Sequence, residues 1–107
     1  MTHRPAHQKL FDPADYPALR EFFPAYLHQD FAEEYGSAVE AVKSFLADAS
    51  GDEILQVQEE WKAFRSAFCD ATFSQMRAAI GRLGGAWSPG NEAELRELDK
   101  TLLLTKA

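Results

Sequence analysis

The chain has little from which to build a covalent or metal-held framework. Cys69 is its single cysteine, so no internal disulfide can form, and no Cys-x-x-Cys pair is present to hold a structural zinc. Long apolar runs are missing too: Leu102, Leu103 and Leu104 make one of the longest, far short of the roughly 20 residues of a membrane span. The opening MTHRPAHQKLFDPAD has neither an apolar core nor a small-residue cleavage pattern, so no signal peptide is expected and a cytoplasmic location is. Also absent are GxxxxGK[ST], GxGxxG, His-Glu-x-x-His and Gly-x-Ser-x-Gly, which removes the phosphate-cradling and common hydrolase signatures. No catalytic residue, cofactor or metal site is expected. Period-two alternation and fixed-period repeats are likewise missing, which argues against sheets and solenoids.

Bases are scarce in one stretch. Between residues 30 and 60 stand Asp30, Glu33, Glu34, Glu40, Asp48, Asp52, Glu53, Glu59 and Glu60 against Lys43 alone, a balance of 1 − 9 = −8. The whole chain carries −6, so the remainder is +2. Such a field repels nucleic acid and favours basic partners, raising their association rate more than their affinity; it also serves simply to keep a small protein soluble.

The 107 residues are 46% apolar and 26% charged, the composition of one ordinary globular domain. Their pattern is helical. DPADYPALREFF opens a helix with Pro13 or Pro17 in its first turn and Asp12 or Asp15 as cap, and Leu19, Phe22, Phe23 and Tyr26 follow helical spacing. Pro24 then either kinks that helix or starts a second one. Ser37 with Glu40 and Ser50 with Glu53 read as capping boxes, the first ahead of Val39, Val42, Phe45 and Leu46. Behind the second, Ile54, Val57, Trp61, Phe64 and Phe68 recur at steps of three and four, the strongest seam in the chain. Thr72 with Gln75 opens another helix, carrying Phe73, Met76, Ile80 and Leu83, which Gly84-Gly85 ends. Asn91 with Glu94 caps the last one, whose Leu95, Leu98 and Leu102 face inward. The expectation is an all-α, single compact bundle of five or six short helices over residues 15–107, behind a mobile tail at 1–14.

Two polar features invite chemistry. Cys69 follows Phe68 in the seam, where a small buried thiol is expected, since no base is nominated to activate it. YLHQDF at 26–31 sets His28 and Asp30 one residue apart between aromatics. On a helix they would point about 200° apart, so they can share a metal only if the segment is non-helical, with His3 and His7 as the available further ligands. The structural alternative packs the His28 ring among Phe23, Tyr26 and Phe31 with its nitrogens on a carbonyl or carboxylate, while Asp30 pins the turn leading to Tyr35-Gly36. A partner-binding role for one of the two also stays open.

The string YPALREFFPAYLHQDFAEEYGSAVEAVKSFL, with LGGAWSP further on, resembles the small helical immunity proteins of bacterial contact-dependent growth inhibition systems. The matching positions are Leu19, Phe22, Tyr26, His28, Gln29, Asp30, Phe31, Tyr35 and Gly36, then Leu83, Gly84 and Trp87, over roughly residues 16–103. That resemblance implies a non-catalytic cytoplasmic protein that binds and neutralises a cognate toxin domain, the C-terminal domain of a growth-inhibition exoprotein. Where that toxin is a nuclease with a basic cleft, the acidic stretch has a target. Tyr26, His28, Asp30, Phe31, Tyr35 and Gly36 would then hold the scaffold, and Glu33, Glu34, Glu40, Asp48, Asp52, Glu53, Glu59 and Glu60 would meet the partner. Nucleic acid and membrane are not expected partners. The competing expectation is a helical adaptor that self-associates through an exposed aromatic patch at Trp61 and Trp87.

Overall fold

The helical periodicity becomes six α-helices in the computed structural model, which describes residues 12–103. They are α1 (Pro17–Tyr26), α2 (Phe31–Tyr35), α3 (Ala38–Asp48), α4 (Gly51–Ala67), α5 (Phe73–Arg82) and α6 (Glu92–Leu103), preceded by a 3-10 turn at Pro13–Asp15. No strand occurs among the described residues, and the chain is the all-α bundle its sequence announces. Most of the expected tail, with His3 and His7, lies outside the described residues. Among the described residues no helix is long and apolar enough to cross a membrane.

Helix starts coincide with side chains that replace the missing intrahelical partners. Ser50–Glu53 and Thr72–Gln75 close full capping boxes, the hydroxyl taking the N3 amide while the N3 side chain accepts from the cap amide. At Ser37 only half of the box forms: Oγ accepts from the Glu40 amide at 3.1 Å, and the Glu40 carboxylate turns instead to Lys43 Nζ at 3.5 Å. Asn91 Oδ1 accepts the Glu94 amide at 2.9 Å, and Glu94 accepts from the Gly90 N–H at 2.7 Å. For α1 the local sequence supplies nothing, because its N-cap is Tyr16, whose side chain makes no capping bond. The cap comes from another helix: Glu60 Oε1 of α4 accepts the amides of Ala18 and Leu19 at 2.9 and 3.1 Å. A carboxylate there also meets the positive end of the α1 dipole.

The seam from Ile54 to Phe64 buries as expected, with Trp61 at its centre. The Trp61 ring stacks on Phe64 at 5.3 Å and tilts against Phe23 at 5.9 Å. Its indole N–H would be an orphan donor in that setting, and Asp99 Oδ1 of α6 accepts it at 2.7 Å. Arg65 then clasps the same carboxylate through Nε at 3.1 Å and Nη2 at 2.8 Å, tying α4 to α6. Gln58, also buried, donates to the Leu102 carbonyl at 2.9 Å, one of the oxygens that the end of α6 leaves unsatisfied.

α1 resolves the Pro24 alternative by continuing through it and ending at Tyr26. Just beyond, the Leu27 carbonyl accepts the amides of Ala86 at 2.8 Å and Trp87 at 3.3 Å. The segment bearing them must come very close. Gly84 adopts φ +107°, a conformation that disfavours side chains, and a Cβ on Gly85 would lie 2.9 Å from the Phe23 oxygen and 3.0 Å from that of Leu27. YLHQDF at 26–31 and LGGAWSP at 83–89, far apart in sequence, are therefore the two halves of one joint.

Candidate interaction surface

His28 sits in the bend between α1 and α2, so helical geometry does not constrain it. Its Nδ1 accepts the Asp30 backbone amide at 3.1 Å, and Nε2 lies 3.0 Å from Glu34 Oε1. With Nδ1 an acceptor, the proton of the neutral ring is on Nε2, where it donates to the carboxylate. The nitrogens are thus both engaged, one of them on a carboxylate as expected. The partner ring is Tyr35, at 6.4 Å, rather than the expected trio of Phe23, Tyr26 and Phe31. Asp30 holds the turn by its backbone: it is the N-cap of α2, its carbonyl accepts from Glu33 and Glu34 at 3.1 and 3.0 Å, and its exposed side chain makes no capping bond. Gly36, at φ +98°, ends α2 in a left-handed turn. Among the described residues no cluster of three His, Cys, Asp or Glu side chains could hold a metal.

Beside this corner the rings form a ladder. Phe22 stacks on Tyr26 at 5.8 Å and Tyr26 on Tyr35 at 5.9 Å, with Phe45 of α3 against Phe22 at 4.8 Å and Tyr26 at 5.4 Å. Phe22 and Phe45 are buried, whereas Tyr26 and Tyr35 are half-buried and reach the surface. Burial first, then the charge and hydrogen bond of Glu34, then the charges of Tyr26 and Asp48, hold the Tyr35 phenol above its ordinary 10.0. Carboxylates therefore crowd the outer rung. Next to the inner rungs lies a groove of ≈ 390 Å³ between α1 and α4, lined by Phe22, Tyr26, Phe45 and Val57 together with Glu21 and Glu53.

The acidic residues expected to face a partner divide. Glu33, Glu34, Glu40, Asp48, Asp52, Glu53 and Glu59 are exposed; Glu40 and Glu59 each face a lysine one turn on, at 3.5 Å, and Glu53 closes its capping box. Leu55, 52% exposed, shares the outer stripe of α4 with Asp52 and Glu59. Glu60 is a correction: at 8% exposure its carboxylate points into the bundle and holds α1, so it leaves the surface set. The spacing carried a signal, since Glu60 stands three residues after Val57 and four before Phe64, on the flank of the buried seam.

Two further expectations change. Cys69 is exposed, not buried, because α4 stops at Ala67 and Phe68 becomes its C-cap, leaving the cysteine in the following turn. Trp61 and Trp87, offered as an exposed aromatic patch, are 0% and 8% exposed. Glu21 and Ala25, which border the groove, were not singled out from the sequence. Their signal is the spacing Ala18, Glu21, Phe22, Ala25, which puts two small side chains and an acid on one face of α1.

No curated protein and no solved structure gives a significant match to this chain. A family model does match it, over residues 15–98, and that span takes in the α1–α2 corner, the aromatic ladder, the groove and the LGGAWSP joint. The model is that of the CdiI immunity protein, and the chain belongs to this family.

Proposed function

We propose that the protein neutralises its toxin by binding it, without catalysis, through the exposed carboxylates around the Tyr26–Tyr35 ladder. Family membership makes it a toxin-neutralising immunity protein and its partner a cognate toxin protein. The observation that supports this surface is the coincidence of half-buried tyrosines with exposed carboxylates: Tyr26 and Tyr35 reach the surface beside Glu34 and Asp48, with Glu33, Asp52 and Glu53 exposed nearby in sequence. Tyrosine supplies a large rigid contact area, and the acids steer a basic partner to it. The partner this surface suits is basic, as the cleft of a nuclease is, and the encounter takes place in the cytoplasm. The adaptor alternative has no such support, because both tryptophans it needs are buried.

Co-expression tests the proposal. Cells producing the toxin domain encoded beside this gene should grow when the protein is present. They should lose that protection when Glu33, Glu34, Asp52 and Glu53 are all changed to lysine. Full protection by the reversed variant would rule out the acidic surface.

A further inference from the structure

α1 leaves space on its outer face. Ala18 and Ala25 stand two turns apart with Glu21 and Phe22 between them, so methyl groups flank the phenyl where longer side chains would fill the gap. α4 forms the opposite wall with Val57 and Glu53, and Phe45 of α3 contributes to the floor. Helices packed through such small residues would ordinarily close together, but Phe45, meeting Phe22 edge-on at 4.8 Å, occupies the bottom of the cleft.

The chemistry of this groove selects its occupant. Among the described residues no Lys or Arg lines it, and both of its charged side chains are acids. Glu53 gives one oxygen to the Ser50 amide at 3.1 Å and keeps the other, while Glu21 has no ion pair among the described residues. An anion would meet repulsion from both sides. A neutral apolar side chain would bury the two carboxylates without a partner. An ammonium would match the charge but would be stripped of a strong hydration shell against aromatic walls. A guanidinium is more weakly hydrated, lies flat on aromatic faces and forks onto carboxylates, and its methylene stem suits the apolar floor.

We infer that this groove receives an arginine side chain of the cognate toxin domain, its guanidinium held by Glu21 and Glu53 and its stem lying over Phe22 and Phe45. The inference rests on the toxin-binding reading above and names the anchor within it. Arginine, with tryptophan and tyrosine, is enriched among the few desolvated residues that carry most of an interface's affinity.

Calorimetric titration of the purified protein with the toxin domain encoded beside its gene separates the two. Ala25→Trp fills the groove from an exposed position without altering charge, and should weaken binding by about 30-fold or more; Glu21→Gln should weaken it by about 10-fold. Glu97→Gln, on α6 and outside the groove, should change it less than about 2-fold, and thermal unfolding confirms that each variant is folded. Replacing the toxin's arginines one at a time should find one whose loss makes Glu21→Gln silent. Tight binding that both groove variants retain overturns the arginine anchor and leaves toxin neutralisation standing. Equal losses from Glu21→Gln and Glu97→Gln overturn it in favour of a diffuse field. No binding by the unaltered protein overturns both readings.

Discussion

Inside the bundle, Glu60 accepts from Ala18, Leu19 and Gln56, and Asp99 from Trp61 and Arg65, whereas Glu34 and Asp48 stand exposed by the outer rung of the aromatic ladder and Glu21 and Glu53 at its groove. The difference shows how one residue type serves two ends in a small protein. A carboxylate that is surrounded by donors ties one helix to another, and at α1 it supplies the cap that the local sequence lacks. One that is left among aromatics and other acids sets up an outward field. Glu59 and Glu60 show that a single step along α4 decides between them: Glu59 faces Lys62 in solvent at 3.5 Å, and Glu60 is buried.

The comparison can be broken most severely at Glu60. Glu60→Ala leaves two α1 amides without acceptors next to the core and should cost about 3 kcal/mol, from charged hydrogen bonds and a lost cap. In a domain of this size that is a melting temperature lower by roughly 10–20 °C, whereas Glu59→Ala should stay within about 0.5 kcal/mol. Chemical denaturation of the two variants side by side checks the contrast. Asp99→Ala comes next, at about 2 kcal/mol, because the Trp61 indole is left without its acceptor and Arg65 without its partner. A Trp61 fluorescence change in the folded state should accompany that loss.

At the corner between the two regions the effects shrink. His28→Ala removes an acceptor from the Asp30 amide and a donor from Glu34 at a part-exposed site, so about 1 kcal/mol of stability should go while toxin affinity is retained. Asp30→Ala should cost less still, since its backbone and not its carboxylate holds the turn. An equal or larger affinity loss than stability loss at His28 would place the corner in the interface. The smallest effect concerns pH. The phenols of Tyr16 and Tyr35 are raised above 10.0, each first by burial and then by neighbouring acids, so the folded state holds those protons more tightly than the unfolded chain. Their contribution is fully present below the unfolded value and is lost as pH rises through the folded ones. Stability should therefore decline above about pH 10, and less steeply in Tyr35→Phe.

Much of this was legible because it is local. The seam through Trp61 and Phe64, the boxes at Ser50 and Thr72, the Asn91 cap and the left-handed Gly84 all follow from neighbours within a turn. The resemblance on YLHQDF and LGGAWSP reached the right family, although nothing in either string shows that they touch. What escaped depends on distance or on phase. Glu60 caps a helix 41 and 42 residues away, Gly85 is required by the Phe23 and Leu27 carbonyls, and Cys69 was misplaced because the periodic pattern ran one residue past the end of α4. The groove escaped for a further reason: its space is left by the small Ala18 and Ala25 on α1, and hydrophobic periodicity registers what is large.

The most direct measurement is the association rate of the unaltered protein with the toxin domain encoded beside its gene, followed by stopped-flow fluorescence at low and at high salt. Fast capture that slows steeply as salt screens the exposed carboxylates is the expected result. Capture at a rate indifferent to salt, or no binding at all, would contradict the claim that the outward-facing acids around the aromatic ladder recognise the toxin.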